Sequence, residues 1–449
     1  MQNQTKALEL RIPHEEGRQL QEEIFDTGRE KAVFALVGYS KTPSNRVLLT
    51  SSVMPVSDCE YIKNGDFSTR WRPRFNAQMI GLAERARLGL LIAHAHPFQD
   101  SAKMSRVDEE TGTLLCSAFR IALPKAPHAM VVFGKNGGAS GFAFLPGDSR
   151  LTQITSTKWL SDPIRLVPAP QARRGAGERI YSRQRILLGS EGQNLLSNAT
   201  IGVVGLGGGG SHVVQQLTLM GVGKLVLVDN DKVEEENRHR LIGGRPADSK
   251  EGVRKIEVMK RLVSESNPSV ASVCCADRFP SDKATRLLKE CDVLVGCVDT
   301  LTARKELQNF AWRYLIPYVD IGLSIQVGDT TGRAQTISGQ VYDLIPGAGC
   351  LWCAQFLTGD RLNAEWGGRG PTYISDGTEQ AQVVSFNGVL ASQAACEVLH
   401  LLTGYSARVK VPTALQYDGI QGTLSPVRIE RNGACPVCSN ELGRGDGLW

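Results

Sequence analysis

Three groups of residues in this sequence have types and spacings suited to chemistry. The first is rich in glycine. Gly205-Leu-Gly207-Gly208-Gly209-Gly210 lies between an apolar run ending at Val204 and a helical pattern opening near Ser211. Glycine lets a backbone turn sharply and approach a phosphate, and the helix after it offers free N–H groups and a positive dipole end. A dinucleotide would suit this loop as well as a nucleoside triphosphate. The next apolar run ends at Asp229, where a carboxylate can hold a ribose hydroxyl. The chain then turns polar and basic: Asp229-Asn-Asp231, and Asn237-Arg-His-Arg240. A dehydrogenase has no need of that run. An enzyme that lets a carboxylate attack a triphosphate must offset negative charge there.

The second group is two cysteine pairs, Cys350-Leu-Trp-Cys353 and Cys435-Pro-Val-Cys438. Together they offer four thiolates, the donor set of a closed, structural, tetrahedral zinc site. A redox pair is the rival reading, although redox motifs need only one such pair. The third group is His94-Ala-His96-Pro97, with Ser105-Arg-Val-Asp108 shortly after it. Two imidazoles at i and i+2 leaving a strand can face one metal, and a later carboxylate can complete three protein ligands. A fourth position then stays open, as in hydrolytic zinc sites. A lone His-x-His is more often two ordinary histidines; the appended Ser-x-x-Asp favours the metal.

These groups need elements to hold them. Strand-like runs fall at 32–37, 46–49, 90–93 and 129–133, with a helical pattern over 75–88. After residue 180 apolar runs alternate with helical segments, which predicts a Rossmann-like, doubly wound, mostly parallel sheet. The segment 165–180, with its prolines, small residues and basic cluster, reads as a linker between domains at 1–164 and 181–449. At 449 residues, two or three domains are expected. A net charge of +5 without a dense basic and aromatic tract argues against nucleic acid. No run reaches the roughly 18 apolar residues of a membrane span, and the polar N-terminus lacks a secretion core, so a cytoplasmic protein is expected. Eleven cysteines, an odd number in a long chain, suit thiols and metal ligands better than a disulfide framework.

The second half resembles the ubiquitin-activating-like superfamily, with bacterial members ThiF, MoeB and HesA. The resemblance runs over about 180–440. It is carried by Tyr181-Ser-Arg183-Gln184, the glycine loop, the Asp-x-Asp…Asn-x-x-Arg run, Gly252-Val-Arg-Lys255 and Cys297-Val-Asp299-Thr…Arg304. It implies ATP-dependent adenylation of the C-terminal glycine carboxylate of a ubiquitin-like or sulfur-carrier protein. By it, Gly205, Gly207, Gly208 and Gly210 cradle the nucleotide and Asp229 holds the ribose. Asn237, Arg240 and Lys255 contact phosphates, and Asp299 holds Mg²⁺. Arg183 reaches into a partner subunit's site, which implies a homodimer, and a conjugating enzyme is a further expected partner. Many relatives carry an acyl-accepting cysteine on the loop after the first Cys-x-x-Cys, but 358–390 contains none. Cys396 lies in an apolar helical stretch and reads as a packed residue. Adenylation without an obligatory thioester on this chain is therefore expected.

The first half, over about 15–150, resembles the JAMM (JAB/MPN) metallopeptidases in its His-x-His-Pro…Ser-x-x-Asp motif. That implies a JAB/MPN-like α/β domain with His94, His96 and Asp108 on a catalytic Zn²⁺, Ser105 at the oxyanion, and an upstream glutamate as general base. Glu30 is the candidate, with Glu22 and Glu23 as alternatives. Such a domain would hydrolyse peptide or isopeptide bonds of the carrier's precursor or conjugates. Two readings compete: adenylation of a small peptide or amino acid, and a NAD-dependent oxidoreductase.

Overall fold

A computed structural model describes residues 7–25, 30–65, 68–96, 101–171, 179–328, 332–367, 381–406 and 413–447. The chain forms two units. One comprises Met1–Ala169, Trp312–Leu315 and Asn440–Trp449; the other comprises Pro170–Ala311 and Ile316–Ser439.

The strands of the first unit are β1 (Leu8–Ile12), β2 (Val33–Lys41), β3 (Arg46–Pro55), β4 (Tyr61–Gly65), β5 (Ser68–Trp71), β6 (Gly89–Ala95), β7 (His128–Phe133), β8 (Ala139–Phe144), β9 (Leu151–Gln153), β10 (Ser156–Trp159) and β11 (Arg165–Val167). Among the described residues nine of them make one sheet in the order β11-β10-β1-β3-β2-β6-β7-β8-β9, and β4 and β5 form a separate hairpin. The helices are α1 (His14–Phe25), α2 (Pro73–Ala86) and α3 (Arg106–Ala122). β6 is buried along its whole length, and its period of two divides it between two cores. Leu91, Ala93 and Ala95 join the core of α1, with Leu20 and Ile24. Leu90 and Ile92 join the core of α2 and α3, with Phe75, Met79, Cys116 and Phe119. His94 and His96 share the parity of Leu90 and Ile92, so both imidazoles leave the strand on the α2–α3 side.

The second unit contains β12 (Thr200–Val204), β13 (Lys224–Val228), β14 (Ala271–Cys275), β15 (Val293–Gly296), β16 (Tyr318–Val327), β17 (Ala334–Leu344), β18 (Thr413–Asp418) and β19 (Thr423–Arg428), ordered β14-β13-β12-β15-β16-β17-β18-β19. The pairings from β14 through β16 are parallel, and those from β16 through β19 are antiparallel. Its helices are α4 (Gln184–Asn198), α5 (Gly208–Met220), α6 (Glu235–Arg238), α7 (Pro246–Glu251), α8 (Lys255–Ser266), α9 (Asp282–Leu288), α10 (Leu301–Tyr314), α11 (Gly359–Trp366), α12 (Val384–Thr403) and α13 (Pro436–Asn440). Strand order reverses between β12 and β15. That is the switch point where doubly wound sheets bind ligands, at the carboxyl ends of the strands.

Two boundaries differ from the sequence reading. Residues 165–167 are not linker: β11 pairs antiparallel with β10. Residues 172–178 lie outside the described residues. Residues 440–447, expected in the adenylating domain, pack with the first unit. Gly445 bridges Tyr39, and Asp446 accepts from Lys41 N at 2.9 Å and Ser40 Oγ at 3.2 Å. Gly38 makes this possible, since a Cβ there would lie 2.1 Å from the Gly443 oxygen. No helix among the described residues is long and apolar enough to cross a membrane.

Candidate functional site

A cleft of about 860 Å³ opens at the switch point of the second unit. The glycine loop leaves β12 on one side, and Asp299 comes just after β15 on the other. Gly205 turns with φ +86°, where a side chain would be strained, and its N–H is held by Val228 O at 3.0 Å. Gly205, Gly207, Gly208, Arg240, Lys255 and Asp299 all line the cleft. Their sequence separations are large, and the α/β winding brings them together.

Asp229 lines it as well, whereas Gly210 and Asn237 take different places. Gly210 is not in the cleft lining. A Cβ there would sit 1.9 Å from the Gly205 oxygen, so its role is close packing of helix on loop. Asn237 is also absent from the lining, because its Oδ1 accepts Glu234 N at 3.1 Å and caps α6. Both carboxylate oxygens of Asp229 accept backbone N–H groups, from Leu206 at 2.6 Å and Asp231 at 2.7 Å. Burial pushes its pKa up, opposed by Lys255 and those two N–H groups. Asp229 therefore fixes the loop. The residue missed in sequence is Asp231, which faces the cleft and binds Lys255 Nζ at 2.8 Å. The doubled acidic run was the available signal. Arg183 is exposed at the start of α4, outside the cleft of its own chain.

In the first unit, Glu30, His94, His96 and Asp108 each place a ligand atom within 4.8 Å of the others. Among the alternatives to Glu30, Glu22 pairs instead with Arg18 at 2.6 Å. His94 Nε2 stands 3.2 Å from Asp108 Oδ1 and 3.4 Å from Glu30 Oε1, and His96 Nε2 is 3.4 Å from Asp108 Oδ2. His94 Nε2 is buried, yet it makes no hydrogen bond of adequate geometry. A buried ring nitrogen facing two carboxylates without such a bond fits a metal ligand. Burial raises the Glu30 pKa, partly opposed by His94 and His96. For Asp108 burial is the largest single influence and acts upward. The nearby His94 ring and the hydrogen bonds from Ser105 overcome it and hold the carboxyl well below its usual range.

Ser105, expected at the oxyanion, sits at the N-terminus of α3. It caps α3 in a reciprocal box, donating its Oγ proton to Asp108 Oδ2 at 2.7 Å and accepting Asp108 N at 3.2 Å. In this structure the Ser105 hydroxyl is bonded to Asp108 and so orients that carboxylate.

In the second unit, Cys350, Cys353, Cys435 and Cys438 converge. Sγ separations are 3.7 Å for Cys350–Cys353, 3.5 Å for Cys350–Cys435 and 3.8 Å for Cys353–Cys438. Tetrahedral zinc with the usual Zn–S bond sets sulfurs about 3.8 Å apart, so the four thiols fit that ion. Cys396, read as packed, is instead exposed on α12.

A parallel-rich α/β unit with a glycine loop and basic residues at its switch point is a nucleotide-binding domain. Residues 181–437 match the ThiF family, and the chain belongs to that family. It is 27% identical over 312 residues to the adenylyltransferase and sulfurtransferase MOCS3 of Drosophila willistoni, covering 68% of this chain and 60% of that protein. It is 27% identical over 262 residues to the molybdopterin-synthase adenylyltransferase of Escherichia coli strain K12, covering 58% of this chain and 95% of that protein. The chain thus spans about 60% of the length of the MOCS3 relative. A crystal structure of Escherichia coli MccB with MccA-N7isoASN aligns with a TM-score of 0.48 and 21% identity, over 60% of this chain and 77% of that one.

Proposed function

We propose that this chain uses ATP to adenylate the C-terminal glycine carboxylate of a ubiquitin-like or sulfur-carrier protein. We further propose that its first unit is a JAMM-type zinc hydrolase of peptide or isopeptide bonds in that protein's precursor or conjugates. The observation that carries the first reading is the meeting of the glycine loop, Arg240, Lys255 and Asp299 in one cleft at the switch point.

In the adenylation step a carboxylate oxygen forms a bond to the α-phosphorus. The bond from that phosphorus to the bridging oxygen breaks, and pyrophosphate leaves. Arg240 and Lys255 supply positive charge where it accumulates. Asp229 and Asp231 both line the cleft, and either carboxylate could accept from the ribose hydroxyls. Asp299 would hold Mg²⁺ together with the substrate's phosphates, the usual donor set for that ion, which would offset charge at the reacting phosphate. Exposed Ile180, Ile186 and Leu187 flank Arg183 and support its placement at a homodimer contact.

In the first unit His94, His96 and Asp108 would hold Zn²⁺, which would supply Lewis acidity at the scissile carbonyl. Glu30, with its raised pKa, is suited to take a proton from the attacking water and return it to the leaving amine. Ser105 keeps Asp108 in place. The four-thiol cluster is structural, since four thiolates leave no open position.

ATP–pyrophosphate exchange with a panel of small glycine-terminated proteins tests the adenylation. Exchange that requires one such carrier, and is lost in Arg240→Ala and Asp299→Ala, is expected. Exchange supported by a free amino acid or short peptide alone would replace the carrier with a small-molecule substrate.

A further inference from the structure

We infer that Glu365 is the positioning residue of Asp299, acting across 64 residues of sequence on the helix start beside it. The inference rests on the adenylation reading. Asp299 stands exposed in the cleft, and α10 begins two residues later. The first N–H groups of a helix have no partner within it. In α10 they are met from two sources. Thr300 Oγ1 accepts Ala303 N at 3.2 Å. The Glu365 carboxylate accepts the other two, Leu301 N at 2.7 Å and Thr302 N at 2.9 Å, one on each oxygen. Thr302 Oγ1 also donates to Glu365 Oε2.

The clamp is reinforced by the next residue. Trp366 Nε1 donates to Thr302 Oγ1 at 3.0 Å, and Lys305 Nζ lies 5.6 Å from the centre of the Trp366 ring. The end of α11 is thus bound to the first turn of α10. On the other side of Asp299 the chain is also tied: Cys297 N donates to Val204 O at 2.8 Å, and Arg304 Nη2 donates to Val298 O at 2.8 Å. The short stretch 297–300 carries the cleft carboxylate between two anchors, and Glu365 is the larger part of the second. A negative charge at a helix N-terminus is favourable, so the anchor is cheap to maintain.

The functional consequence comes from the ion. Mg²⁺ demands near-ideal octahedral geometry and tolerates little displacement of a carboxylate. Loss of Glu365 leaves two N–H groups of α10 unmet and frees the Asp299 loop at one end. Affinity for the magnesium complex of ATP should fall, while contacts to the nucleotide itself persist.

The test is nucleotide affinity of the full chain, with a non-hydrolysable ATP analogue, measured with Mg²⁺ and again with chelator. In wild type Mg²⁺ should tighten binding. In Glu365→Ala that gain should fall roughly 10- to 100-fold, the scale typical of residues that orient a metal ligand, with binding in chelator unchanged within about twofold. Glu365→Gln, which keeps the bulk and one acceptor oxygen, should lie between. Ser281→Ala removes the cap of α9 instead, where Ser281 Oγ accepts Ala284 N at 3.3 Å, and should lower the melting temperature while leaving the Mg²⁺ gain intact. An undiminished Mg²⁺ gain in both Glu365 variants would overturn the inference, as would an equal loss of affinity with and without Mg²⁺. A wild type with no Mg²⁺-dependent affinity would instead sink the adenylation reading beneath it.

Discussion

The two ligand clusters of this chain are built from opposite materials. In the second unit four thiols of one kind stand with near-equal spacings, from two short knuckles far apart in sequence. In the first unit two imidazoles and two carboxylates meet, drawn from the approach to β2, the end of β6 and the first turn of α3. The uniform set can saturate a tetrahedral ion. The mixed set can hold one with three side chains and leave Glu30 beside an open position. A closed site adds folding energy, whereas an open one can carry chemistry.

Substitutions should separate the two. The largest effect is expected from Cys435→Ser, which should release the thiolate-bound ion and unfold or loosen the second unit, since binding of a structural zinc is folding free energy. Metal content and thermal melting of that variant measure it. Glu30→Gln should do the reverse: retain zinc and fold, yet lose roughly 10²- to 10⁴-fold in hydrolysis of a carrier fusion with a peptide extending beyond its terminal glycine.

Mild acid offers a third separation, through a group in neither cluster. His128 is fully buried, accepting Leu90 N and bonded to Leu123 O, and burial holds its pKa at about 4. Between about pH 6.5 and 4 the unfolded chain takes up a proton that the folded chain refuses, so stability falls as pH falls. The loss should approach about 3 kcal/mol in urea titrations and be absent from the corresponding slope of His128→Gln. The smallest effect is expected for Ser105→Ala, which removes the proton donated to Asp108. Zinc affinity of the mixed cluster should drop roughly 10- to 100-fold while the thiol site is untouched. Unchanged zinc affinity with slowed hydrolysis would return Ser105 to the oxyanion.

Much of this was readable from the chain itself. The glycine loop between a strand and a helix, the parallel alternation after residue 180 and the His-x-His…Ser-x-x-Asp spacing depend on local periodicity and short-range backbone demands. The features that escaped depend on tertiary contacts. The sequence offers Asp229 and Asp231 as equals; both line the cleft, and only the fold shows that Asp229 also pins the glycine loop while Asp231 pairs with Lys255. Glu365 is one of many acidic residues until α11 meets α10. The tail after Cys438 looks like part of its own domain, but Gly38 provides space for it on β2. Segment 368–380, which includes part of the loop expected to lack a cysteine, lies outside the described residues.

Zinc content per chain tests the contrast most directly. Mass spectrometry of purified wild type should give two zinc ions, falling to one in His96→Ala with the second unit still folded. One zinc in wild type, unchanged in His96→Ala and lost only with the thiols, would contradict an open metal site in the first unit and leave adenylation as the chain's sole chemistry.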